Sequence, residues 1–155
     1  MKADDESHKV IATNRKALFN YEIFEKAEAG VVLAGSEVKS IREGGLNFRD
    51  SYVELRKGEL WLVGCRIGPY SHGNIQNHDE GRERKLLLHR REIDKLGGKA
   101  TEKGFTIVPL QAYFKNGKIK VEIGIARGKK SHDKRETIKR KDIERETRQA
   151  VRDRR

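Results

Sequence analysis

The stretch FTIVPLQAYFKNGKIKVEIGIA, Phe105 to Ala126, decides the fold. Val121, Ile123 and Ile125 alternate across a pleat, the period of a half-buried strand. Asn116-Gly117 sits midway, and Asn-Gly is the preferred pair for a two-residue hairpin turn, where both residues need positive φ. The pattern predicts strands over Phe105–Phe114 and Lys118–Ala126.

Working outward, Ser51–Arg56 and Glu59–Ile67 read as a second hairpin turning at Lys57-Gly58. Lys9–Ala12, Tyr21–Glu25 and Val31–Ala34 have strand composition. Ser36 reads as the N-cap of a short helix that turns Val38 and Ile41 inward and stops at Gly44-Gly45. Lys85–Leu96 reads as another helix, with Leu86, Ile93 and Leu96 on one face and Gly97-Gly98 as its stop. Pro69–Arg84 is polar and reads as a long surface loop.

Short antiparallel strands with about three short helices predict a mainly β fold. The spacing fits a small antiparallel OB-fold-like barrel of about five or six strands. Residues 1–7 read as a disordered leader and 8–126 as the folded domain. Residues 127–155 read as a basic tail, disordered when free and folding on its partner. After Ala126 the only aliphatic residues are Ile138, Ile143, Ala150 and Val151, too thin a stripe to hold a helix in water.

The chain has 155 residues and a formal net charge of +11, which points to a polyanionic partner. From Arg127 onward there are 13 Lys+Arg against 6 Asp+Glu, so most of the excess lies in the last 29 residues. No apolar run is long enough to span a membrane, and the polar start is unlike a secretory signal. Cys65 is the only cysteine, which fits a reducing cytoplasm and excludes a disulfide framework.

Four basic segments are candidate RNA contacts. Asn14-Arg15-Lys16 could clamp phosphate or form a solvated turn. Lys39 and Arg42 lie three apart and share an exposed helix face. Arg82, Arg84, Lys85, His89, Arg90 and Arg91 bracket three leucines beside the polar loop, a continuous positive strip. Gly128-Lys129-Lys130-Ser131-His132-Asp133-Lys134-Arg135 interleaves a ring with dense cations, and rings stack on bases.

Catalytic readings fare worse. Gly124 and Gly128 are one residue too close for a phosphate-binding P-loop, and Lys130 stands where a hydroxyl should hold the metal. His8, His72, His78, His89 and His132 form no helix-spaced pair. His72, His78 and Asp79 share one loop, where surface residues are the simpler reading than a metal site. The acids are interleaved with Lys and Arg, as on an ion-paired surface. No metal, cofactor or enzymatic activity is expected.

Several stretches together resemble the SmpB family. They are EAGVVLAGSEVKSIREG (Glu28–Gly44), RDSYVEL (Arg49–Leu55), GPYSHGN (Gly68–Asn74), RERKLLLHRREIDKL (Arg82–Leu96), IVPLQAYF (Ile107–Phe114) and ARGKKSHDKRE (Ala126–Glu136). The resemblance covers roughly Asn14 to Lys141, most of the chain. It implies an OB-fold barrel that binds the tRNA-like domain of transfer-messenger RNA and delivers it to stalled ribosomes in trans-translation. It further implies entry into the vacant A site, with the tail becoming helical in the messenger channel.

Carried over by position, Asn14, Glu28 and Leu87 match family residues important for RNA binding, with Arg84 and Lys85 flanking the last. Gly128, Lys129, Lys130, His132, Asp133, Lys134 and Arg135 match the tail motif that contacts the decoding region. Two places depart from the family. Leu18 and Phe19 stand where an Arg-His pair is usual, and Glu80-Gly81 where proline is common. The expectation is a monomeric, non-catalytic cytoplasmic adapter. Its rivals are a basic OB-fold ribosomal protein or assembly factor and, from another class, a nuclease.

Overall fold

A computed structural model describes residues 9–71, 77–102, 104–129, 143 and 145. In chain order its elements are β1 (Lys9–Thr13), α1 (Arg15–Asn20), β2 (Tyr21–Val31), α2 (Gly35–Arg42), β3 (Leu46–Asn47), β4 (Tyr52–Arg56), β5 (Glu59–Val63), β6 (Arg66–Ile67), β7 (Arg84–Leu87), α3 (Arg90–Ala100), β8 (Phe105–Lys115) and β9 (Lys118–Gly128).

Both expected hairpins form. Asn116 and Gly117 have φ of 51° and 77°, and Lys57 and Gly58 have 48° and 77°. These left-handed pairs match the right-handed twist of the flanking strands. β8 pairs with β9, β9 with β2, β2 with β7, β7 with β5 and β5 with β4. A Val53–Ile107 pairing returns β4 to β8 and closes the ring. β1 pairs with β8 over Gln111–Phe114, further along the strand from that contact.

The interior holds Leu60, Leu62, Leu86, Ile107, Val121, Ile123 and Ile125, with Ile93 and Leu96 of α3 in the same cluster. Each such side chain contributes roughly 1.5–3 kcal/mol on leaving water. A smaller cluster joins Ala17 of α1 to Val108, Leu110 and Ala126. Gly124 lies at a crowded crossing. A Cβ there would come within 2.9 Å of Ile23 Cγ2 and 3.2 Å of the Glu25 carbonyl oxygen.

Several local expectations change. Arg84–Leu87 is a strand, not the start of a helix. Arg84 and Leu86 are buried while Lys85 is half-buried and Leu87 exposed, an alternation set by the flanking β2 and β5. The helix begins only after His89 and runs through Gly97-Gly98 to Ala100. Gly97 serves close packing instead of stopping the helix, since a Cβ there would meet Leu55 Cδ2 at 2.9 Å. Ser36 lies inside α2, whose N-cap is Ala34. Glu37 reaches back to accept from the Ala34 amide at 2.8 Å, half of a capping box. Beyond Val31 the chain leaves the sheet, so Val32–Ala34 is not a strand. Glu59–Ile67 breaks at Gly64, φ 84°, and β6 pairs with β3 instead.

Candidate nucleic-acid interface

The long β8–β9 hairpin meets β2 and β7 on one face of the barrel. The strand period brings Glu28, Gly30 and Leu87 together there, with Gly30 opposite both Leu87 and Lys120. Leu87 is 52% exposed, although the leucines on either side turn inward. Gly30 keeps its neighbour close: a Cβ there would touch Leu87 Cβ at 3.4 Å. A shallow concavity of about 350 Å³ is lined by Gly30, Val38, Leu87, Lys118, Ile119 and Lys120 among others.

Glu28 is the acid in this basic setting. The Tyr113 hydroxyl donates to its carboxylate, and Lys115 Nζ lies 3.3 Å away. The tyrosine hydrogen bond, outweighing partial burial and aided by Lys115 and Lys120, holds the carboxyl below its ordinary value. Burial and the same carboxylate push the Tyr113 hydroxyl up, so it stays a donor. The site therefore presents a fixed, ionised acceptor beside the ammonium groups of Lys115 and Lys120. Such an acceptor fits the amino groups of bases, while the lysines fit phosphates.

Helix α2 borders this face. Arg42 stacks over the Phe114 ring at 5.4 Å, and Lys39 over Tyr70 at 5.5 Å. Both keep the exposed positions expected of them. Lys85 is half-buried, with Glu59 at 4.0 Å.

Arg84 requires a correction. It is wholly buried, so its side chain presents no surface to RNA. It donates to Glu37 from Nε at 2.7 Å, to the Cys65 carbonyl at 2.8 Å and to the Glu80 carbonyl at 3.1 Å. Arg82 is half-buried and also pairs with Glu37, besides donating to the Val32 carbonyl at 3.3 Å. Burial works against the Glu37 charge. The Ala34 amide and the two guanidiniums offset it, leaving the carboxyl below its ordinary value. This cluster ties α2 to β7 beneath the exposed face.

Asn14 also differs from expectation. It is buried and caps α1, accepting from the Ala17 amide at 3.2 Å. Its amide nitrogen donates to the Pro109 carbonyl at 2.8 Å, inside the β8 bulge between Pro109 and Gln111. Asn14 thus positions the helix instead of reaching outward. Arg15 and Lys16 are exposed, and Lys16 pairs with Asp50.

Asn14 and Lys16 line a second concavity, away from the Glu28 face, together with Gly128 and Lys129. Lys130, His132, Asp133, Lys134 and Arg135 lie outside the described residues, as does His72. Tyr113, Lys115, Lys118 and Lys120 were not singled out from sequence. The signal was present: Lys118, Lys120 and Glu122 share one face of a period-two strand. Among the described residues no group of three His, Cys, Asp or Glu could hold a metal ion, and no helix is long and apolar enough to cross a membrane.

The model of the family described as SmpB protein matches residues 11–153. The chain belongs to the SmpB family. A curated SsrA-binding protein of Sulfurihydrogenibium sp. (strain YO3AOP1) is 59% identical over 140 residues, 90% of this chain and 92% of that protein. The SsrA-binding protein of Geobacillus thermodenitrificans (strain NG80-2) is 56% identical over 146 residues, 94% of each. A solved structure described as "tmRNA-SmpB: a journey to the center of the bacterial ribosome" contains a similar chain. It is 48% identical, with a TM-score of 0.66, covering 77% of this chain and 85% of that one. The SmpB resemblance read from the sequence and the barrel expected from strand spacing both hold.

Proposed function

We propose that this chain binds the tRNA-like domain of transfer-messenger RNA and carries it to stalled ribosomes for trans-translation. The observation that carries the reading is its 59% identity to an SsrA-binding protein across nine-tenths of its length. The Glu28–Leu87 face gives that reading a physical form. Leu87 offers an apolar contact to a base or ribose, Glu28 a hydrogen-bond acceptor, and Lys115, Lys118 and Lys120 charge for the backbone.

The role is that of an adapter in the cytoplasm, acting as a monomer. It requires no bond-making by this chain. The segment from Gly128 to Arg135 serves the ribosome: its cations meet phosphates of the decoding region, and His132 stacks. The remainder follows the empty messenger channel.

The test is a reconstituted translation system stalled on a message without a stop codon. Added transfer-messenger RNA should tag the nascent chain only when this protein is present. Equal tagging without it would contradict the proposal.

A further inference from the structure

The chain has six asparagines, and only Asn116 is followed by glycine. Asn116 and Gly117 form the tip of the β8–β9 hairpin, between the paired Lys115 and Lys118. Both tip residues are exposed. A Cβ built on Gly117 would meet nothing within 4 Å, so its backbone is uncovered. The side chains of Asn14, Asn47 and Asn77 are held by hydrogen bonds. That of Asn116 has none among the described residues.

These are the conditions for asparagine cyclisation, the reaction that makes this residue thermolabile. A side chain on the following residue obstructs the approach, and glycine has none. The Gly117 nitrogen attacks Asn116 Cγ. The new C–N bond forms, the Cγ–Nδ2 bond breaks, and ammonia leaves with the proton of the Gly117 amide. The five-membered imide then takes up one water. Opening at Cγ gives aspartate. Opening at the main-chain carbonyl gives isoaspartate, with the chain running through Cγ and a free α-carboxylate. No oxidant, metal or enzyme is needed. The closed turn holds Asn116 at φ 51°, so the step proceeds when the hairpin tip opens locally.

We propose that Asn116 is a site of spontaneous deamidation, and that the carboxylate it gains weakens the RNA face. Gly117 lines the same concavity as Leu87, Lys118 and Lys120. Conversion therefore sets a negative charge at the rim of the lysine side, where phosphates are drawn in. Isoaspartate does more, because it adds a backbone methylene between Lys115 and Lys118. A two-residue turn fixes the register of its strands and has no room for that insertion. The effect on binding rests on the RNA-binding reading above, whereas the cyclisation does not.

The test incubates the full chain at neutral pH, folded and in urea. Mass spectrometry of the peptide spanning Asn116 follows the exchange of NH2 for OH. A protein-isoaspartate methyltransferase marks the isoaspartyl share. Asn116 should convert ahead of every other asparagine in the folded chain. An Asn116 that keeps its amide when folded, while the urea sample converts, would overturn the site. Asn116→Asp isolates the added charge. It should keep the melting temperature, because Asp-Gly suits the same turn. It should weaken binding to the tRNA-like domain of transfer-messenger RNA about fivefold, the strength of one close ion contact in bulk water. The aged, isoaspartyl chain should bind more weakly still. Wild-type affinity in both would overturn the effect on the RNA face. A fresh wild-type chain that fails to bind this probe would overturn the RNA-binding reading and leave the deamidation standing.

Discussion

Arg84 and Glu37 are both fully buried, and the arginine Nε donates to the glutamate at 2.7 Å. The pair joins β7, which carries exposed Leu87, to α2, which carries Lys39 and Arg42. Two ions out of water are tolerated only when their remaining hydrogen-bonding atoms are satisfied. Here the Ala34 amide and the Cys65 and Glu80 carbonyls do that.

Removing one partner should therefore be costly. Glu37→Ala leaves a buried guanidinium without its countercharge and should lose about 3–5 kcal/mol. A double change, Glu37→Leu with Arg84→Met, should cost much less. Urea unfolding of the three proteins checks this, and equal losses for single and double variants would contradict it.

The same carboxyl makes stability depend on pH. Glu37 titrates lower when folded than its ordinary 4.5. Its contribution is thus present above pH 4.5 and lost as pH falls through the lower folded value. Melting temperature should drop over that window, and the drop should be smaller in the Glu37→Leu, Arg84→Met protein. Parallel curves for the two would be the opposing result.

The exposed face should behave differently from the buried pair. Leu87→Ala should leave stability within roughly 0.5 kcal/mol, because the side chain is already half in water. It should still weaken binding to the tRNA-like domain. Glu28→Ala should weaken binding too, although it raises the net positive charge. Tyr113→Phe, which removes the donor to Glu28, should act in the same direction. Fluorescence anisotropy measures all three, and tighter binding by Glu28→Ala would show that charge alone governs the face.

Cys65 is fully buried, and burial pushes its thiol up to about 12, with Arg84 opposing and Glu37 adding to the shift. The thiolate is the reactive form. A disulfide reagent at neutral pH should label the native protein slowly and the urea-unfolded protein at once.

The tail's point of separation follows from β9. The strand runs two residues beyond the expected Ala126, pairing Arg127 with Phe105 and Gly128 with Tyr21. The Lys129 amide donates to the Asn20 carbonyl at 2.8 Å. Truncation after Lys129 should keep the melting temperature and transfer-messenger RNA binding while abolishing rescue. Truncation after Ala126 should also lower the melting temperature. Loss of RNA binding in the longer fragment would contradict separable roles.

What the sequence revealed follows from how local each signal is. Asn116-Gly117 and Lys57-Gly58 were legible because positive φ is a property of the turn itself. Arg84–Leu87 was not, because a short apolar run between charges fits strand or helix until its neighbours are known. Arg84 looked available to RNA because its charge is written in the sequence, while its partner stands 47 residues earlier. Glu28 and Leu87 are legible through family resemblance. Their clustering with Tyr113 and Lys115 depends on pairings across the closed barrel.

The most direct measurement is a salt titration of binding to the tRNA-like domain of transfer-messenger RNA, beside a generic hairpin of equal length. Both should weaken with slopes of roughly −0.7 to −0.9 per phosphate neutralised. Specific recognition through Glu28 and Leu87 predicts that the first complex survives at salt concentrations that dissolve the second. Equal affinities with equal slopes would leave only a basic RNA binder and contradict the adapter function.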